Sequence, residues 1–277
     1  MGTNIMPHEE LIKFNALNSD LPFPVVNGML SASTAEINAL IEIINAEIIY
    51  SKDESYSGGR VDIPYGSEMY KRVYQKSLLL KRIQSELSKA EYWNKSAEKL
   101  NVDSTDISDH FPLEQASIRL RRNYQSLLIR LNGKMRRKGI SLEIPMRLFK
   151  PKYEITINIG YALSGYYVPP HQDNRNKLIV GLIYLGGSEN QNLLLCKTAE
   201  RDKYPRILQN GDYEIFKRVQ QMKGVAVMFV NQHNAYHATE QYKQKEPKVF
   251  IYYSLAQKYV EHVFTKDEVK LRDEWIE

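Results

Sequence analysis

Cysteine is all but missing from these 277 residues: Cys196 stands alone, which excludes an internal disulfide and any cysteine-based zinc site. No apolar run reaches the ~18 residues that a membrane-spanning helix needs, and residues 1–10 lack the charged-then-apolar order of a secretion signal. Neither a membrane-spanning protein nor a secreted one is expected, and a cytoplasmic location is the default. In that compartment the glycosylation sequon Asn94-Lys95-Ser96 carries no message. Internal repeats, low-complexity tracts and a clear interdomain linker are also lacking. What is present is ordinary globular material, 43% hydrophobic and 26% charged, enough for one full-sized core in a single domain.

Acidic side chains are absent from one stretch. Residues 119–138 carry Arg119, Arg121, Arg122, Arg130, Lys134, Arg136, Arg137 and Lys138 without a single Asp or Glu. These eight cations exceed the net charge of +5, so the rest of the chain is net acidic and the basicity is local. Leu120, Tyr124, Leu127, Leu128, Leu131 and Met135 recur at helical spacing in the same stretch, which reads as a helix with a solvated charged face. The competing reading makes this helix the working surface of a non-catalytic module that binds an anion or nucleic acid.

Residues 1–149 read as a mainly helical support region. Residues 21–26 form a short strand whose prolines suit a sheet edge, and Asn27-Gly28 turns the chain toward a helix. Ser33 and Glu36 have capping-box spacing at the start of that helix, and Ile37, Leu40, Ile41, Ile44 and Ile48 line one face. A long polar helix follows over 68–100. From residue 150 the period changes to that of strands, at 153–159, 165–168, 178–185, 192–196, 224–230 and 249–255, separated by Gly, Pro and Asn. This predicts an α+β protein with an antiparallel sandwich or barrel over 150–256 and a C-terminal helix in 257–277, where Thr265 and Glu268 again have capping-box spacing. The charged segment 197–222 interrupts the strands. It is expected to be a lid over the site, or a surface excursion with a short helix at 213–222.

Six histidines are the main chemical resource. His171 and Asp173 are two apart, so an extended chain turns both to one side. His237 follows a later strand. Two imidazoles and one carboxylate make a facial triad for non-haem Fe(II), with three coordination positions left open for a bidentate cosubstrate and O₂. His233 is the rival third ligand, four residues before His237, although the segment has no helical stripe. His8, His110 and His262 are isolated.

In these residues the chain resembles the Fe(II)/2-oxoglutarate-dependent oxygenases, especially their prolyl-hydroxylase-like branch. The resemblance runs over roughly 150–256, through the sequence Gly165-Tyr166-Tyr167-Val168-Pro169-Pro170-His171-Gln172-Asp173, a distal His237, and a basic Lys248 opening the next strand. It implies a double-stranded β-helix (jelly-roll) core and a cytoplasmic dioxygenase or hydroxylase with Fe(II), 2-oxoglutarate and O₂. The expected metal ligands are His171, Asp173 and His237. Tyr161, Tyr184 and Lys248 are expected to hold the cosubstrate, and Asn174 and Arg175, just past the second ligand, to meet the substrate. The substrate class would be a small molecule or a protein side chain rather than nucleic acid. The chain departs from the family pattern at Phe250, where a Ser or Thr is common. A metal enzyme of the same fold that does not use 2-oxoglutarate is the remaining alternative, and it would have no need of Lys248 with Tyr184.

Overall fold

The computed structural model describes residues 10–15, 21–50, 59–101, 152–174, 177–187, 191–199, 207–231 and 234–258. The basic stretch 119–138, the expected helix after 257, Arg175 and His233 lie outside these residues. Strands β1 (Ile12–Phe14), β2 (Val25–Leu30), β9 (Val225–Val230), β6 (Lys177–Tyr184), β11 (Lys248–Lys258), β4 (Lys152–Ala162) and β3 (Arg60–Ile63) form a seven-stranded sheet in that order. Strands β5 (Val168–His171), β10 (Tyr236–Thr239), β7 (Asn192–Lys197) and β8 (Glu214–Gln220) form a four-stranded one. Neighbouring strands pair antiparallel throughout. Helices α1 (Thr34–Tyr50), α2 (Glu68–Lys76), α3 (Leu78–Leu87) and α4 (Ala90–Lys99) complete an α+β jelly-roll arrangement.

Three layers result from alternation along the strands. Val249, Ile251, Tyr253 and Leu255 of β11 join Ile157 and Ile159 of β4 in one buried cluster with Leu40, Ile44, Ile83 and Trp93 of the helices. Phe250 of β11, with Val180, Leu182 and Tyr184 of β6, joins a second cluster with Leu193 and Leu195 of the small sheet. Because both faces of the large sheet are covered, β6 and β11 look like continuous apolar runs in the sequence. Two aromatic rings are accommodated by glycine on a neighbouring strand. A Cβ on Gly160 would lie 2.3 Å from the Phe250 ring, and one on Gly181 would lie 2.1 Å from the Tyr253 ring.

The capping box forms as the spacing predicts: the Ser33 amide donates to Glu36 at 2.8 Å, and the Glu36 amide donates to the Ser33 hydroxyl at 3.2 Å. Other expectations are revised. The strand expected at 21–26 begins at Val25 and is interior, because β1 pairs along it. Asn27-Gly28 is strand rather than turn, and Gly28 is required there since a Cβ would sit 2.3 Å from the Lys13 carbonyl oxygen. The long polar helix is three helices. Buried Ser77 ends α2 and starts α3, its hydroxyl accepting from the Leu80 amide at 3.1 Å. The short helix expected at 213–222 is instead strand β8, which pairs with β7 across one irregularity between Leu195 and Cys196, while residues 200–206 of the expected lid 197–222 lie outside the described residues.

Replacing Gly181 with Ala should lower the unfolding free energy by about 1–3 kcal/mol, the usual cost of forcing atoms into a filled core. Denaturant midpoints of the two proteins measure it.

Candidate metal centre

β5 is an edge strand of the small sheet, which is why it tolerates Pro169 and Pro170. Its other neighbour, β10, pairs so that His171 lies directly opposite His237, with ring centroids 4.3 Å apart. Asp173 follows two residues later, past the strand end. The three side chains bring one ligand atom each to within 4.8 Å of one another. The loop after Asp173 is tied down by Asn231, whose amide donates to the carbonyls of Asn174 and Lys177, both at 2.9 Å. On its outer side β5 is held by the Leu208 amide, which donates to the Pro170 carbonyl at 2.9 Å.

The protonation states suit a metal. The His171 Nδ1 lies 2.9 Å from the Pro169 carbonyl, which can only accept, so Nδ1 carries the proton and Nε2 the lone pair. Burial, reinforced by the His171 imidazole, pulls the His237 pKa down to about 3 against the opposing pull of Asp173. His237 is therefore a neutral imidazole near pH 7, the form that binds a metal. Burial pushes the Asp173 carboxyl up, but His237, Lys177 and His171 outweigh it and keep the group below its ordinary value. With His237 neutral, Lys177 is the standing cation in that set. Its ammonium donates to Asp173 Oδ1 at 3.1 Å, and the Tyr252 hydroxyl donates to Oδ2 at 2.9 Å.

These residues line one wall of a cavity of about 340 Å³. That volume is at the small end of ligand sites. Lys248 lines the same cavity and is 1% exposed. Its ammonium lies 5.5–5.7 Å from the ring centroids of Tyr166, Tyr184 and Phe250 and makes no ion pair among the described residues. Burial, with Arg60 adding repulsion, lowers its pKa to about 7. The buried Tyr184 hydroxyl makes no well-formed hydrogen bond among the described residues, and the Gln221 side chain is the polar group beside it. Arg60 and Asp62 of β3 pair at 2.7 Å beside this end, and Arg60 also donates to the Tyr166 hydroxyl at 2.9 Å.

Of the residues singled out from the sequence, His171, Asp173, His237, Tyr184 and Lys248 all face this cavity. Tyr161 does not. It pairs with Val249 and packs into the helix-side core, because strand alternation gives the cavity face of β4 to Asn158, Gly160 and Ala162. Tyr166 stands in the cavity instead, brought there by a turn in which Gly165 has φ +93°. Asn174 lies beside the site, its carbonyl taken by Asn231. Arg60, Asp62, Lys177 and Tyr252 were not anticipated. Tyr252 had a signal, since Lys248, Phe250 and Tyr252 share one face by strand periodicity. Arg60 and Asp62 alternate with the buried Val61 and Ile63 over only four residues, too short a pattern to read.

No protein-family model matches the chain, and no curated protein matches it. Several solved structures resemble it. A prolyl-4-hydroxylase from Pseudomonas putida is 10% identical, with a TM-score of 0.41 over 86% of this chain and 94% of the other. The non-haem α-ketoglutarate-dependent epimerase SnoN from nogalamycin biosynthesis is 9% identical, with a TM-score of 0.43 over 83% of this chain and 76% of the other. A 2OG-Fe(II) oxygenase family protein from Burkholderia pseudomallei is 13% identical, with a TM-score of 0.27 over 39% of this chain and 46% of the other. At such values the site itself has to carry the functional argument.

The state of Lys248 has a measurable consequence. Its folded pKa of about 7 lies below the unfolded value of 10.5, so between those values the unfolded chain binds the extra proton. The metal-free, ligand-free protein should gain stability as pH rises from about 7 toward 10. Lys248→Met should flatten that part of the profile, as read from denaturant unfolding at pH 7, 8.5 and 10.

Proposed function

We propose that the protein is an Fe(II)- and 2-oxoglutarate-dependent dioxygenase. In this reading it hydroxylates an unactivated C–H bond of a small molecule or a protein side chain and releases succinate and CO₂. The observation that carries the reading is the pairing of two features in one small cavity. One is the His171, Asp173 and His237 cluster; the other is Lys248, a buried cation with no anionic partner among the described residues. A metal enzyme without a carboxylate cosubstrate would have no use for such a cation, and leaving it unpaired is costly.

The chain's own residues then divide the work. His171 and His237 supply neutral nitrogens and Asp173 a negative oxygen, all from one side, which leaves the other side of a bound ion open. The Lys248 ammonium would pair with the distal carboxylate of 2-oxoglutarate, and the Tyr184 hydroxyl, facing the same cavity, would donate to the same group. Phe250, Leu182 and Leu193 keep that end dry, so both contacts act in a medium of low dielectric. Tyr166, held by Arg60, covers the Lys248 ammonium. Iron with 2-oxoglutarate and O₂ supplies the oxidising chemistry, and no separate protein acid or base is needed. Arg60 and Asp62, on the same cavity wall and partly exposed, are placed to meet the substrate. No helix among the described residues is long and apolar enough to cross a membrane, and the lone Cys196 is buried, in keeping with a cytoplasmic enzyme.

Asp173→Ala should abolish stoichiometric Fe(II) binding and the succinate released from 2-oxoglutarate. Lys248→Ala should retain the metal but lose about 3–5 kcal/mol of cosubstrate affinity, the cost of breaking a buried pair. That is roughly 10²-fold to several thousand-fold in the dissociation constant. Calorimetric titration of 2-oxoglutarate into the metal-loaded proteins tests it, and an unchanged constant for Lys248→Ala would refute the reading.

A further inference from the structure

Both oxygens of the Asp173 carboxylate are engaged by side chains of the protein. Lys177 donates to Oδ1 at 3.1 Å and Tyr252 to Oδ2 at 2.9 Å, while Lys177 also bonds to the Tyr252 hydroxyl. The arrangement is built rather than incidental. Lys177 opens β6 and Tyr252 lies in the middle of β11; the Lys177 ammonium is 4.4 Å from the Tyr252 ring centroid. The Lys177 side chain is 18% exposed and that of Asp173 11%. The Asn231 side-chain amide donates to the backbone carbonyl of Lys177 at 2.9 Å.

Resting on the metal-site reading above, we infer that Lys177 makes metal binding depend on an anionic ligand. Without metal, its ammonium neutralises the buried Asp173 carboxylate and keeps the site assembled. A divalent ion entering beside His171 and His237 would have to share that carboxylate with an ammonium 3.1 Å from Oδ1, so the two positive charges would repel across a partly buried site. The repulsion is relieved when an anion arrives with the metal and offers the ammonium a second partner. Metal and carboxylate ligand therefore bind cooperatively, and by reciprocity each strengthens the other by the same factor. Lys177 is a positioning residue in this scheme, acting through Asp173. Tyr252 holds the second oxygen in either state.

The sign of the effect separates this role from simple support. Removing an ordinary hydrogen-bond partner of a metal ligand weakens metal affinity by roughly 10–100-fold. Removing a competing cation strengthens it. Mn(II) dissociation constants, measured by electron paramagnetic resonance with and without 2-oxoglutarate, should show coupling in the wild-type protein. Lys177→Met should bind Mn(II) alone about tenfold more tightly, with the coupling to 2-oxoglutarate reduced toward what direct chelation of the metal supplies. Lys177→Arg should keep both weak binding of Mn(II) alone and the coupling. Weaker or unchanged Mn(II) binding by a folded Lys177→Met protein would overturn the inference while leaving the metal site intact. A wild-type protein that binds no Mn(II) in either condition would overturn both. If Lys177→Met does not fold, Lys177→Gln, which keeps a donor but no charge, gives the same test.

Discussion

The pairing of β5 with β10 is the constraint on which the site depends. One antiparallel register sets His171 across from His237, and everything else about the centre follows from holding that register. An edge strand with two prolines has few amides to give, so β5 is secured by other means. The Leu208 amide and the bridge from Ile207 hold it on its free side, and Thr239 accepts from the Val168 amide at 3.0 Å on the other. A slip of one residue would turn His171 out of the cavity, because strand faces alternate.

The second constraint is electrostatic. The cavity wall gathers Arg60, Asp62, Asp173, Lys177 and Lys248 around a small volume. Two of the three cations have a carboxylate at hydrogen-bond distance, and the third is left with aromatic rings. Arg60 and Asp62 satisfy each other at the partly exposed end, where the pair costs little. The deeper Lys248 is the exception, and burial draws its pKa toward neutrality for want of a counter-charge. Charge is thus balanced at the open end of the cavity and left unbalanced, among the described residues, at Lys248.

Much of this was legible before any coordinates. His171, Asp173, His237 and Lys248, singled out by a His-x-Asp pair, a later His and a strand-opening lysine, do meet at one cavity, and the long buried strands were readable because their apolar runs are continuous. Three kinds of feature stayed hidden. Tyr161 was misplaced because the face a strand residue takes depends on pairing, and Gly160 and Tyr161 read alike from sequence until β11 sets the inward side. Lys177 and Arg60 look like solvated charges, since nothing local announces a partner four residues back or a tyrosine 106 positions away. The strands β3 and β8 are short or charged, and tertiary pairing overrode weak propensity in both.

Strand β11 lies between β6 and β4 in the middle of the seven-stranded sheet, although it follows both in the chain by dozens of residues. A ribosome therefore delivers the two flanking strands long before the one that joins them. Until it emerges, β4 and β6 each present an open row of amides and carbonyls beside an exposed apolar face, the kind of surface that aggregates. Asp173 also lacks Tyr252 over that interval, and the cavity lacks Lys248. The nascent chain passes through a stage in which His171 and His237 have both been made but the cavity that joins them cannot yet be finished.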